Sequence, residues 1–204
     1  MPCAMWHRTL FARTALFVVV SASLLSLSSL PADAHAIVEL QGSDAIAGRT
    51  STLSLEVQHG CITGGGGTVK VVAQFGAPFG RVTAGAVPGW TSLVTPGTTA
   101  KSSSGRTVTW STNGVAQPFA TPLFLALTVH WPKRAGGYGI VVSQFCTNPT
   151  EQTIWDTPIQ PTTVGVPFPP VTPLATVCVL PQRLANSSSS QAKRAIAQLC
   201  ATVR

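Results

Sequence analysis

Apolar and polar positions alternate along the middle of the chain. Leu53, Leu55 and Val57 interleave with Ser54, Glu56 and Gln58. Val69, Val71, Ala73 and Phe75 interleave with Lys70, Val72 and Gln74, and Val108 and Trp110 with Thr107 and Thr109. A period of two marks a half-buried strand. "LFLALTVHW" and "YGIVVSQFC" are β-rich runs with both faces partly apolar. Turn-forming clusters separate the runs: "GGGG" at 64–67, "TPGTT" at 95–99, "RAGG" at 134–137 and "TNPT" at 147–150. No internal repeat is present. Many short strands at close spacing predict an all-β protein, a β-sandwich.

The pattern changes at both ends. From Asp156 the run "DTPIQPTTVGVPFPPVTPL" is proline-rich, which favours extended, edge or linker backbone over a central strand. We therefore assign the sandwich to residues 35–160 and a C-terminal extension to residues 161–204. Within the extension, Ala192, Ile196, Leu199 and Cys200 can share one helical face after a capping serine, which predicts a short helix. The N-terminus carries His7, Arg8 and Arg13, then the apolar run "TALFVVVSASLLSLSSL", then Ala32-Asp33-Ala34. A basic start, a short apolar region and a small-x-small triplet are the parts of a secretory signal peptide, residues 1–34. A second triplet, Ala34-His35-Ala36, overlaps the first. Cleavage after Ala34 makes His35 the first mature residue; cleavage after Ala36 discards it.

Composition narrows the function classes. The 204-residue chain has a formal net charge of +7, but Lys133-Arg134 and Lys193-Arg194 are the adjacent basic pairs. A nucleic-acid surface needs a clustered basic face, and export argues against such a partner. Cys61, Cys146, Cys178 and Cys200 remain after signal removal. Four cysteines permit three pairings, and an oxidising compartment favours disulfides. Cys61–Cys146 with Cys178–Cys200 is preferred, because the second pair closes the tail on itself. Met1 and Met5 leave with the signal, so the mature chain has no thioether ligand for Cu(I). The "GGGG" loop lacks the lysine and hydroxyl of a phosphate loop, and no Gly-x-Ser-x-Gly elbow supports a serine hydrolase. Asn186-Ser187-Ser188 matches a glycosylation sequon inside a serine-rich linker.

Histidine carries more information. A mature N-terminal His35 presents an α-amine with a pKa of about 8 beside its imidazole. Both nitrogens can close a chelate on one ion, and Cu(II) favours such tetragonal N/O coordination. The plainer reading is a terminal histidine left beside a cleavage site. His59, in "QHGC", reads as a turn histidine bonding a local carbonyl. His130, in "TVHWP", reads as facing solvent or packing on Trp131. Trp90, Trp110 and Trp131 read as core, and by itself so does Trp155.

"HAIVEL…AIAG", "EVQHGC", "TVKVVAQF", "VPGW", "RTVTW", "VVSQFC" and "TIWD" follow one another in order across roughly residues 35–158. In their order and spacing they resemble the YcnI-like family of exported copper-binding domains. The resemblance implies an immunoglobulin-like β-sandwich. It also implies a Cu(II) site built on the N-terminal histidine, a mono-histidine brace, with a carboxylate downstream and a tryptophan beside the metal. Carried onto this chain, the brace is His35 and the tryptophan is Trp155, whose place after a turn suits a rim. The carboxylate is Asp44, four positions before Gly48, where the family carries glutamate; Glu39 is the second choice. The expected function is an exported copper chaperone, buffer or donor, not an enzyme. Its partners would be other exported copper proteins or a membrane copper importer. Two alternatives stand beside it: a copper-dependent oxygenase, which needs a second histidine from His59 or His130, and a metal-free wall- or protein-interaction module. The sequence specifies no oligomeric state.

Overall fold

A computed structural model describes residues 35–61, 66–96, 105–158, 172–185 and 188–201. The signal segment, the sequon at Asn186 and most of the proline-rich run lie outside the described residues, as does the first half of the "GGGG" loop. The alternating runs become strands: β1 (Ala36–Leu40), β2 (Thr50–Val57), β3 (Thr68–Phe75), β4 (Val82–Ala84) and β5 (Trp90–Pro96). They continue as β6 (Arg106–Thr112), β7 (Leu123–His130), β8 (Gly136–Cys146), β9 (Gln152–Trp155) and β10 (Ala175–Val179), followed by helix α1 (Ser190–Leu199). One sheet has the order β1-β2-β7-β4. The other has the order β10-β8-β3-β6-β5, with β9 also paired to β8. Every named pairing is antiparallel.

Period-two alternation works as the sequence implies. Leu53, Leu55 and Val57 of β2 are buried, and so are Val71, Ala73 and Phe75 of β3. They meet Leu123, Leu125, Leu127 and Val129 of β7 and Val108 and Trp110 of β6 in one core. Trp131 is fully buried as well; its indole N–H donates to the Ser51 hydroxyl at 2.6 Å. Trp90 is half-buried and packs against the core from its margin.

The sandwich does not end at residue 160. β10 pairs with the first half of β8, from Ala175 opposite Ile140 to Val179 opposite Gly136. Val177 and Val179 are in the core. Proline density marked the approach to this strand and masked the strand itself, which is short and proline-free. The helix forms as expected: the Ser189 hydroxyl accepts from the Ala192 N–H at 3.1 Å, and Ala192 is buried. Both preferred disulfides are present. Cys61–Cys146 ties the segment after β2 to the end of β8, across the two sheets. Cys178–Cys200 ties β10 to the end of α1.

Two stability outcomes follow. Val179→Ala removes buried methyls opposite Gly136 and should cost about 2 kcal/mol in chemical denaturation, a loss that a peripheral extension would not show. Replacing Cys61 and Cys146 together by serine should cost about 2–5 kcal/mol in the same measurement.

Candidate functional site

His35 stands one residue before β1. Its carbonyl accepts from the Gln58 N–H at 3.2 Å, which carries the β1–β2 ladder one step further and holds the residue at the open end of the sheet. His35 is half-buried and lines a cleft of about 410 Å³ with Gln58 and the segment Pro173–Thr176. The cleft lies between the edge strand β1 and the start of β10, beside a divided sheet edge. β9 pairs with β8 up to Trp155 opposite Val142, and β10 resumes with Ala175 opposite Ile140. The chain leaves and returns between these points. Thr157 bridges Pro173 in parallel, and the Leu174 N–H donates to the Thr157 carbonyl at 2.8 Å.

The outer face of the first sheet carries the carboxylates. Ile37 is opposite Glu56, and Glu39 is opposite Ser54. Glu56 also faces Phe124 across β7. Glu39 and Glu56 are therefore diagonal neighbours. Burial holds the Glu56 carboxyl above its ordinary value; the Glu39 charge and a hydrogen bond with Glu39 add to this, and His59 acts in the opposite direction. A carboxyl in this setting gives up its proton less readily than one in water.

Asp44 is not near His35. The Leu180 N–H donates to the Ala45 carbonyl at 2.7 Å, and the Ala47 N–H donates to the Leu180 carbonyl at 2.9 Å. This seats the Asp44 loop past the end of β10, whereas His35 lies by its beginning. The five residues of β10 put about 17 Å between the two places. The spacing read from Gly48 therefore selects a residue at the opposite end of β10 from His35. Glu39 is four extended residues from His35, about 13 Å along β1. Glu56 lies nearer: Gln58 pairs with His35, and Glu56 is two residues away on the same face, a diagonal of about 7 Å. Sequence reasoning missed Glu56 because it sits at an ordinary outward position between Leu55 and Val57. The cross-strand register is what brings it to His35.

Trp155 is fully buried in the core, not at a rim. It lies two residues before Thr157, which bridges Pro173, a residue of the cleft lining. No bond from the His59 ring to a local carbonyl is present among the described residues. Its ring stacks on Phe119 with centroids 5.4 Å apart, and its buried Nδ1 has no partner among the described residues. Its own carbonyl is what is held, by the Nε2 amide of fully buried Gln144 at 2.9 Å. That amide also donates to the Thr68 hydroxyl at 2.6 Å. His130 is remote from this end; its Nδ1 bonds the Thr50 hydroxyl at 3.0 Å. Among the described residues, no three His, Cys, Asp or Glu side chains come together to hold a metal.

A family described as a domain of unknown function, DUF1775, matches residues 35–169. The chain belongs to the DUF1775 family. The match begins at His35, the first residue after the predicted signal, so the DUF1775 region and the sandwich start together. Among solved structures, this DUF1775 chain is similar to an uncharacterized protein from Nocardia farcinica with an immunoglobulin-like fold. The likeness has a TM-score of 0.55 at 19% identity and covers 71% of this chain and 97% of that one. It establishes the immunoglobulin-like fold. No curated protein matches the chain.

The Glu39–Glu56 pair makes stability depend on pH. Glu56 holds its proton to higher pH in the fold than in the unfolded chain. The stabilisation from that proton is complete below the ordinary carboxyl value and is lost as pH rises through the raised one. Glu56→Gln, which mimics the protonated form, should therefore flatten the fall in stability across that interval. Denaturation midpoints measured from pH 4 to 7 on both proteins check the slope.

Proposed function

We propose that this DUF1775 protein is an exported copper carrier of the YcnI-like kind, cut after Ala34, that holds one Cu(II) through the amine and imidazole of His35. The observation that carries this reading is the position of His35. It is the second residue of the compact unit Ala34–Arg204, it is fixed by Gln58, and it opens on a cleft. Cleavage there converts an internal histidine into a two-nitrogen chelate, without rearrangement of the sheet.

The donor inventory supports the amine as a ligand. With no cluster of three side-chain ligands among the described residues, a site at His35 depends on its backbone nitrogen. The four cysteines are consumed in disulfides, so thiolate chemistry for Cu(I) is absent and N/O chemistry for Cu(II) remains. Glu56 supplies the carboxylate in place of Asp44. Binding copper requires the Glu56 carboxyl, held above its ordinary value, to be deprotonated, so uptake is favoured as pH rises. Two nitrogens from one residue and one carboxylate leave coordination positions open to water or to a partner's ligands, which suits transfer better than permanent storage. The partners in this reading are other exported copper proteins or a membrane copper importer.

Carriage is favoured over oxygenase chemistry by His59. The second histidine of an oxygenase brace must turn toward the metal, and the His59 ring is held on Phe119. The two disulfides fit an oxidising, exported environment. No helix among the described residues is long and apolar enough to cross a membrane.

Competition titration and electron paramagnetic resonance on the chain starting at His35 test the site. One Cu(II) should bind per chain. His35→Ala, or one alanine added before His35, should weaken binding by at least about 100-fold, beyond the 10–100-fold typical of outer-shell changes. Glu56→Gln should weaken it less and change the spectrum, and Asp44→Asn should leave both unchanged. Equal affinity and an identical spectrum for the extended chain would overturn the proposal.

A further inference from the structure

The opposite end of the sandwich carries a second cleft, of about 390 Å³, bordered by Pro78, Gly80, His130, Pro132, Lys133 and Arg134. Buried Trp131 and Tyr138 form its floor. The backbone around it is tied from several directions. The Tyr138 hydroxyl donates to the Arg134 carbonyl at 2.8 Å, and the Gly48 N–H donates to the Pro132 carbonyl at 3.0 Å. Phe79 braces the floor, edge-on to Tyr138 at 5.7 Å and tilted against Trp131 at 6.4 Å. Gly80 allows the imidazole of His130 to approach: a Cβ at residue 80 would lie 2.5 Å from the His130 ring. With Nδ1 taken by the Thr50 hydroxyl, Nε2 is the ring nitrogen left to meet a ligand.

Lys133 and Arg134 line the cleft, and the backbone of two further arginines adjoins it. The His130 N–H donates to the Arg81 carbonyl and the Trp131 N–H to the Arg49 carbonyl, both at 2.8 Å. Arg81 and Arg49 therefore flank the end of β7 from its two neighbouring strands, about one strand spacing of 4.8 Å to each side. Lys133 and Arg134 follow directly, and all four are exposed. The adjoining loop contributes one acid, Asp44. Positive side chains around a mostly apolar hollow attract a ligand with an anionic group and an apolar body. At about 390 Å³ the cleft lies near the lower end of ordinary ligand sites, which suits one ring and its charged group better than a polymer.

We propose that this cleft is a binding site for a small organic anion, a phosphate monoester or carboxylate on an apolar ring, independent of the site at His35. Arginine and lysine at the mouth take the charged group, with His130 Nε2 as a further donor, and the ring lies against Pro78 and Pro132. The pairs are solvent-exposed, so binding is weak and salt-sensitive.

Two-dimensional NMR of the chain from His35 to Arg204, titrated with phenyl phosphate, benzoate, inorganic phosphate and benzylamine, tests this. Phenyl phosphate or benzoate should give saturable shifts at the Gly80 amide, the Trp131 indole and Tyr138. Whichever binds tighter identifies the charged group. Inorganic phosphate should bind more weakly than phenyl phosphate, and benzylamine should give no saturable shift. Lys133→Gln with Arg134→Gln should weaken binding about tenfold, while peaks near His35 stay in place and report an intact fold. Saturation by benzylamine, no saturation by either aromatic anion, or shifts that the double substitution leaves unchanged would overturn the proposal.

Discussion

The hydrogen-bonded ladder along β8 is the interaction on which the rest of the molecule depends. This strand, Gly136–Cys146, pairs with β3 along one side and with β10 and then β9 along the other. Tyr138, near its start, ties down the turn that carries Arg134. Ile140 pairs with the first residue of β10 and Val142 with the last of β9. Gln144 holds the His59 carbonyl, and Cys146 fastens the strand's end to Cys61. Weakening this ladder would loosen both ends of the sandwich at once. Its long apolar register allows little slippage, since a shift of one residue would turn Ile140 and Val142 outward.

The two ends have different chemistry. At the His35 end, the outer sheet face carries Glu39 opposite Ser54 and Glu56 between Ile37 and Phe124, and burial beside Glu39 holds the Glu56 carboxyl above its ordinary value. At the far end, the strand termini gather Arg49, Arg81, Lys133 and Arg134. Among the described residues, four cations that look scattered along the sequence thus share one end of the sandwich. A cation such as Cu(II) and an organic anion would each be drawn to a different end.

The proposed copper chemistry also explains why processing and folding belong together. The sheet needs only the His35 carbonyl, which Gln58 already holds. In the proposed carrier the amine and imidazole would be the groups left for a metal, and cleavage after Ala34 would supply the amine.

Much of the fold was legible in the residues. Period-two alternation identified β2, β3 and β6 and their buried faces, because one side chain in two must leave water. The capping serine and helical spacing identified α1, and export chemistry with four cysteines led to the disulfides. His35 was legible as a candidate from its place beside the signal. The partners of His35 were not. Glu56 lies 21 positions further on and comes close only because Gln58 pairs with His35. Asp44, nearer in sequence, is carried away by the extended strand between them. Trp155 has the same flanking residues in a rim or a core, and only its register with Val142 decides between them. β10 was hidden because five residues after a proline-rich run are too short for their alternation to stand out, until β8 offers an edge. Alternation and capping are local effects, set by neighbours a few residues apart. Which strand meets which, and therefore which charges share a surface, depends on non-local pairing that only the folded sandwich establishes.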